Sequence, residues 1–228
     1  MMTVAALTLS AGAAWFFLGG IEDSPQAQER LRLQNQLDTL RIRATAGDQK
    51  MQLALADLYR RAKPEMRDLA QAAQWYRRAA DGGSARARFA LGEMYAKGEG
   101  VRQDYAAAAK WFRLAAGTAG NAEAQFALGD LYFNGRGVGN DIGLAIDWYR
   151  KAAMNGHPVA QYLLGRMYDD GWGVDRDAVE AYVWYSRAIA GRARVQAYDS
   201  KLDPVADRAG LAAKMNRSQI DTAKRRLK

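Results

Sequence analysis

The chain has 228 residues and no cysteine. That excludes a disulfide framework, thiolate zinc sites and a cysteine nucleophile. It leaves the redox compartment open, because a cysteine-free chain tolerates both surroundings. A single histidine excludes an all-histidine metal site within one chain. There is no long Pro/Ser tract, so most of the chain is expected to fold. No lysine or arginine precedes Arg30, which leaves the apolar start without the basic stretch of a secretory signal.

What is present is unevenly placed. The apolar fraction is 49%, enough for a real core. The net charge of +8 is concentrated at one end: Ser186 to Lys228 holds 11 basic and 4 acidic residues, whereas Glu22 to Tyr185 is nearly balanced. Val4 to Ile21 carries no charge. As a helix it would reach roughly 27 Å, close to the thickness of the bilayer hydrocarbon. Residues 1–22 are therefore expected to be a transmembrane anchor that contacts lipid through 4–21. A cleaved signal is the alternative, and Trp15-Phe16-Phe17 near an interface favours the anchor. The basic residues that follow the segment place its C-terminal side in the cytoplasm on a simple count.

The strongest pattern is internal repetition. Trp75-Tyr76, Trp111-Phe112, Trp148-Tyr149 and Trp184-Tyr185 recur at steps of 36, 37 and 36. Tyr59, Tyr95, Tyr132 and Tyr168 keep the same steps, as do the paired alanines Ala79-Ala80, Ala115-Ala116 and Ala152-Ala153. Leu-Gly pairs fall at 91–92, 128–129 and 164–165, with Leu55-Ala56 as the degenerate first copy. Each copy reads as two helices. Ala122, Phe126, Gly129 and Phe133 show the helical spacing in the first helix of the third copy. A glycine inside a helix costs about 1 kcal/mol relative to alanine, so its recurrence implies a neighbouring helix too close for a side chain. Asp68, Asp104, Asp141 and Asp177 stand seven residues before each tryptophan and are expected to cap the second helices; Asp48, Ser84, Asn121 and His157 are expected to cap the first. The lone histidine is thereby assigned a structural role, just before Pro158.

The stretch Gly135-Arg-Gly-Val-Gly-Asn-Asp141 looks like a phosphate cradle, but Gly-x-Gly-Val recurs at 98–101 and 171–174, follows a helix, and lacks the Lys-Ser/Thr of a phosphate loop. It reads as the turn between two helices, with glycine supplying positive φ and valine reaching the core. No carboxylate pair or nucleophile–base constellation stands outside the cap and surface columns. No catalytic residue, metal site or cofactor is expected, and a hydrolase remains only a remote alternative.

The pattern Leu-Gly-x-x-Tyr, Gly-x-Gly-Val, Trp-Tyr-x-x-Ala-Ala resembles the Sel-one-like repeat, a relative of the tetratricopeptide repeat, over about 48–190. The resemblance implies an all-α, right-handed α-solenoid of four helix-turn-helix repeats with helical caps. It also implies an adaptor that binds other proteins, often in bacterial envelopes. The expected division is 23–47 as linker and N-terminal capping helix and 48–83, 84–120, 121–156 and 157–190 as repeats. Residues 191–228 complete it as basic C-terminal caps, one opening at Asp203-Pro204 and the last at the capping box Asn216-x-x-Gln219. Leu33, Leu37 and Leu40 form the expected buried stripe of the N-terminal cap.

Two polar columns on the first helices are the expected partner-binding groove: Gln52, Arg88, Gln125 and Gln161, and Asp57, Glu93, Asp130 and Arg166. The envelope habit of the family favours a single-pass inner-membrane protein with its repeats in the periplasm, against the arginine count. The alternative for the basic tail is anionic lipid, an acidic partner or nucleic acid, the last disfavoured because no stacking aromatic lies beside Lys224-Arg225-Arg226.

Overall fold

The computed structural model describes residues 25–62, 67–117 and 120–227, except the side chains of 25–27, 29–30 and 33. Among them all regular structure is helical. Helix α1 spans Pro25–Thr45; then come four pairs, α2 (Gln49–Arg61) with α3 (Leu69–Asp81), α4 (Ala85–Lys97) with α5 (Tyr105–Ala116), α6 (Ala122–Asn134) with α7 (Ile142–Met154), and α8 (Pro158–Asp170) with α9 (Ala178–Ala188). After a short 3₁₀ turn follow α10 (Arg192–Tyr198), α11 (Pro204–Ala212) and α12 (Arg217–Arg226). Each helix packs on its partner and on the next pair, which is the contact pattern of a solenoid. No described helix is long and apolar enough to cross a membrane. The apolar segment 4–21 lies outside the described residues.

The helix starts follow the two cap columns. Asp141 accepts a hydrogen bond from the Leu144 N–H at 2.9 Å, and Asn121 from Ala124 at 3.0 Å. His157 does the same with Nδ1, at 3.2 Å from Ala160 N. Each aspartate cap is also tied back through its own backbone: the N–H groups of Asp68, Asp104, Asp141 and Asp177 donate to the carbonyls of Tyr59, Tyr95, Tyr132 and Tyr168. The first turn keeps this bond although its loop lacks the glycines.

The glycines act at two kinds of crowding. In the helices, a Cβ on Gly92, Gly129 or Gly165 would lie 2.5–2.6 Å from the ring of Phe112, Tyr149 or Tyr185, inside van der Waals contact. The aromatic column and the glycine column are one packing unit, and they set how closely each pair of helices approaches. In the turns, Gly135 ends α6 at φ +62° and Gly137 follows at φ +69°. A Cβ on Gly137 would meet the backbone of Tyr105 and Ala106, the start of the preceding pair's second helix. Each glycine turn is thus wedged against the repeat before it.

Polar ladders run beside this core. Arg41, Arg77 and Arg113 reach forward one repeat to the hydroxyls of Tyr59, Tyr95 and Tyr132. Arg41 takes this place from α1, whose last turn repeats the form of a second helix. Leu37 and Leu40 are half-buried on the same core; Leu33 lies outside the described side chains. At the far end Leu211 and Ala223 of the closing helices, with Met215 in the turn between them, cover α9, and the capping box at Asn216 and Gln219 is formed in both directions.

Candidate functional site

The first helices line one side of the stack, and two adjoining cavities open there. One, of about 730 Å³, lies between α4 and α6 and includes Phe89, Glu93, Lys97, Tyr105 and Phe126. The other, of about 510 Å³, lies between α6 and α8 and includes Asp130, Phe133, Arg166, Asp170 and Trp172. Asp130 and Tyr198 border both.

The structure divides the eight residues of the expected groove. Glu93, Asp130 and Arg166 line the cavities. Gln125 and Gln161 are buried, at 5% and 8% exposure. Their column faces the end of the preceding second helix: Gln52, Arg88 and Gln161 donate to the carbonyls of Ala44, Ala80 and Ala153 at 3.0–3.1 Å, and Gln125 accepts from Asn155. These side chains tie each first helix to the C-terminal end of the preceding second helix, the three carbonyls accepting a turn N–H as well, so this column works inside the stack.

The acidic column is shaped by the aromatic it faces. Where the second helix carries tyrosine, the acid accepts its hydroxyl: Asp57 from Tyr76 at 2.5 Å, Asp130 from Tyr149 at 2.7 Å. Where it carries Phe112, Glu93 pairs instead with Arg60 at 3.2 Å. Burial pushes the Asp130 carboxyl above its ordinary value, and the Tyr149 hydrogen bond opposes that shift without cancelling it. The Tyr149 hydroxyl is itself held far above the usual range, first by burial and then by the Asp130 charge.

Helix α10 was not foreseen in the sequence. It turns back over the first helices and packs on α8. Arg194 pairs with Glu123 on the first turn of α6. His157, 2% exposed, lies between them; its Nδ1 accepts the cap bond, and its Nε2 stands 3.3 Å from the Glu123 carboxylate and 3.1 Å from Arg194 Nη2. Phe126 stacks on the histidine ring at 4.3 Å and meets Tyr198 edge-on at 5.7 Å. The lone histidine is therefore a cap and a prop for the α10 clamp.

The His157 hydrogen bond, more than Arg194, holds the Glu123 carboxyl down to about 2, against a partial burial that raises it. A depressed carboxylate stabilises the folded arrangement fully above its ordinary value of 4.5, and that contribution is lost as pH falls from there towards 2. Acidification across this window will loosen α10. The Tyr198 ring resonances, followed by NMR, will move towards unstructured positions below pH 4.5, and Glu123→Gln will remove that titration. An unchanged pH profile in the variant would show that the clamp does not depend on this carboxylate.

Two further residues escaped the sequence reading. Phe133, expected on the core face, is 36% exposed, and Trp172 is 42% exposed; their rings meet at 5.1 Å. They occupy a repeat-to-repeat position that Arg60 and Glu99 fill with an ion pair at the first junction. The signal was available: Trp172 is the middle residue of a Gly-x-Gly-Val turn whose other copies hold Glu99 and Arg136.

Stacked helix pairs with a cleft along one side define an α-helical repeat scaffold. The Sel1 repeat profile matches residues 50–84, 85–116, 122–157 and 158–191, and the chain belongs to the Sel1 repeat family. Similar solved structures include c5321, a protective antigen present in uropathogenic Escherichia coli strains displaying an SLR fold. It is 42% identical with a TM-score of 0.63, over 67% of this chain and 32% of that one. A Sel1 repeat protein from Oxalobacter formigenes is 28% identical with a TM-score of 0.58, over 79% and 69%. The chain thus spans about a third of the length of the antigen. No curated protein matched. Sel1 repeat proteins generally mediate protein–protein interaction.

Proposed function

We propose that this chain is a membrane-tethered adaptor that holds a partner protein in the cleft along its first helices and assists a bacterial envelope complex. The observation that carries the binding site is the exposed aromatic pair Phe133–Trp172 at the mouth of a cavity of about 510 Å³. Aromatic side chains in a partly enclosed, polar-rimmed cleft are the usual energetic centres of protein interfaces. The uncharged segment 4–21 supports the tether. The resemblance of the repeats to envelope adaptors supports the periplasmic side.

A photo-cross-linking residue placed at position 172 in intact cells tests the cleft. Adducts with a discrete partner are expected there, and none at Met154, which is 72% exposed on a second helix. Equal labelling at both positions, or none at 172, would count against the cleft. A C-terminal alkaline phosphatase fusion reads the tether: activity is expected, and an inactive fusion would put the repeats on the cytoplasmic side.

A further inference from the structure

The tryptophans among the described residues follow a rule with one exception. In every repeat the tryptophan of the second helix has a cation over its ring: Arg78 over Trp75 at 4.4 Å, Arg77 over Trp111 at 5.6 Å, Lys151 over Trp148 at 4.2 Å and Arg187 over Trp184 at 4.8 Å. The attraction is that of a positive charge for the negative face of the indole. Among the described residues Trp172 alone of the tryptophans has no such cation. Its ring is open to the cavity between α6 and α8.

That cavity carries the rest of what a cation needs. Phe133 and Tyr198 add aromatic surface beside Trp172, and the carboxylates of Asp130 and Asp170 face the same space. One cation, Arg166, lines it, and it is paired with Asp170 at 3.6 Å. Asp130 has no ion pair among the described residues; its hydrogen-bond donor is the neutral Tyr149 hydroxyl. The lining therefore has a surplus negative charge next to an unoccupied indole face. At about 510 Å³ the space exceeds what one long side chain fills, so a side chain can enter with the backbone that bears it.

We infer that the cavity bounded by Asp130, Phe133, Trp172 and Tyr198 receives an arginine or lysine side chain of a protein partner, its charge held between the Trp172 ring and the Asp130 carboxylate. The inference rests on the cleft being the partner site and names the group it anchors. It gives the partner a distinct chemistry: a protruding basic residue on a surface able to approach the turn at 171–174. The neighbouring cavity, with Lys97 and Arg194 on its walls, has no such surplus.

The test uses the full chain in detergent, labelled with ¹⁵N, and reads the indole N–H resonance assigned through Trp172→Phe. The probes are N-acetyl-arginine amide, N-acetyl-lysine amide, the neutral isostere N-acetyl-citrulline amide, and tetramethylammonium. Saturable shifts of this resonance with the arginine and lysine probes are expected, at millimolar Kd, with citrulline at least tenfold weaker. Asp130→Asn keeps an oxygen for the Tyr149 hydroxyl and should weaken the cationic probes about tenfold while leaving the unliganded spectrum close to wild type. Equal shifts from arginine and citrulline, indifference to Asp130→Asn, or saturation by tetramethylammonium alone would overturn the inference. Cross-linking from position 172 reads the cleft by itself, so an adduct there with no response to the probes would sink the cation anchor and leave the adaptor reading standing.

Discussion

Tyr149→Ala will destabilise the protein by about 3–5 kcal/mol, the range for deleting a large buried aromatic, and it will reverse the sign of a second substitution. Tyr149 is 2% exposed, and its ring packs on the backbone of Gly129. Gly129→Ala alone places a Cβ 2.6 Å from that ring. The crowding outweighs the gain in helix propensity, and a net loss of about 1–3 kcal/mol is expected. Once the ring is gone, the same alanine should stabilise by up to about 1 kcal/mol, since only the propensity term remains. A double-mutant cycle in urea gives the coupling directly. Additive single effects would show that the glycine column is not there to admit the ring. The first repeat is the departure from the column: Ala56 stands at the glycine position with Tyr76 at the ring position, so that pair accommodates one extra carbon.

Gly137→Ala is the second large effect. At φ +69° an alanine costs about 1–2 kcal/mol by conformation alone. Its Cβ would also lie 2.3 Å from the backbone carbon of Tyr105, which belongs to the preceding repeat. Backbone cannot move aside as a side-chain end can, so the junction between the second and third repeats has to open, and a total loss of at least about 3 kcal/mol is expected. Two glycines serve as gauges. Gly156 has φ +84° with nothing within 4 Å of its Cβ, so Gly156→Ala should show the conformational part only. Gly139 has neither a positive φ nor a near neighbour, and Gly139→Ala should stay within about 0.5 kcal/mol of wild type. Thermal melts rank the three, and hydrogen exchange in α5 and α6 locates the opening. If Gly137→Ala costs no more than Gly156→Ala, the turn is not a wedge between repeats.

These two effects were within reach of the sequence because repetition reports local necessity. A cap must present a hydrogen-bond acceptor to the first-turn N–H groups, so Asp, Ser, Asn and even His157, through Nδ1, recur at one register. A ring that meets backbone must meet glycine, so Gly92, Gly129 and Gly165 recur opposite Phe112, Tyr149 and Tyr185. The phosphate-like turn is a connector on the same ground: three copies follow three helices.

The cleft was less legible. Polarity suggested a partner-binding groove for Gln125 and Gln161, but a glutamine can be buried when its amide is hydrogen-bonded to the end of the preceding helix, and period alone does not distinguish the two. Phe133 and Trp172 depart from their columns, so averaging over copies hides them. Helix α10 has seven residues and no counterpart in the repeat. Nothing local announces that Arg194 will meet Glu123, which lies 71 positions earlier.

By itself the sequence determined the helical hairpin, its length, its caps, its turn and the places where only glycine fits, since each depends on neighbours within about one repeat. It also marked the ends of the stack, through the leucine stripe of α1 and the capping box that opens α12. Only the tertiary structure decided which polar residues are internal rungs and which line a cleft, and that α10 folds back to border both cavities. The reason is distance along the chain. Hairpin geometry is set by contacts a few turns apart, whereas the cleft is made where α6, α8 and α10 converge, and the burial of any residue there depends on all three.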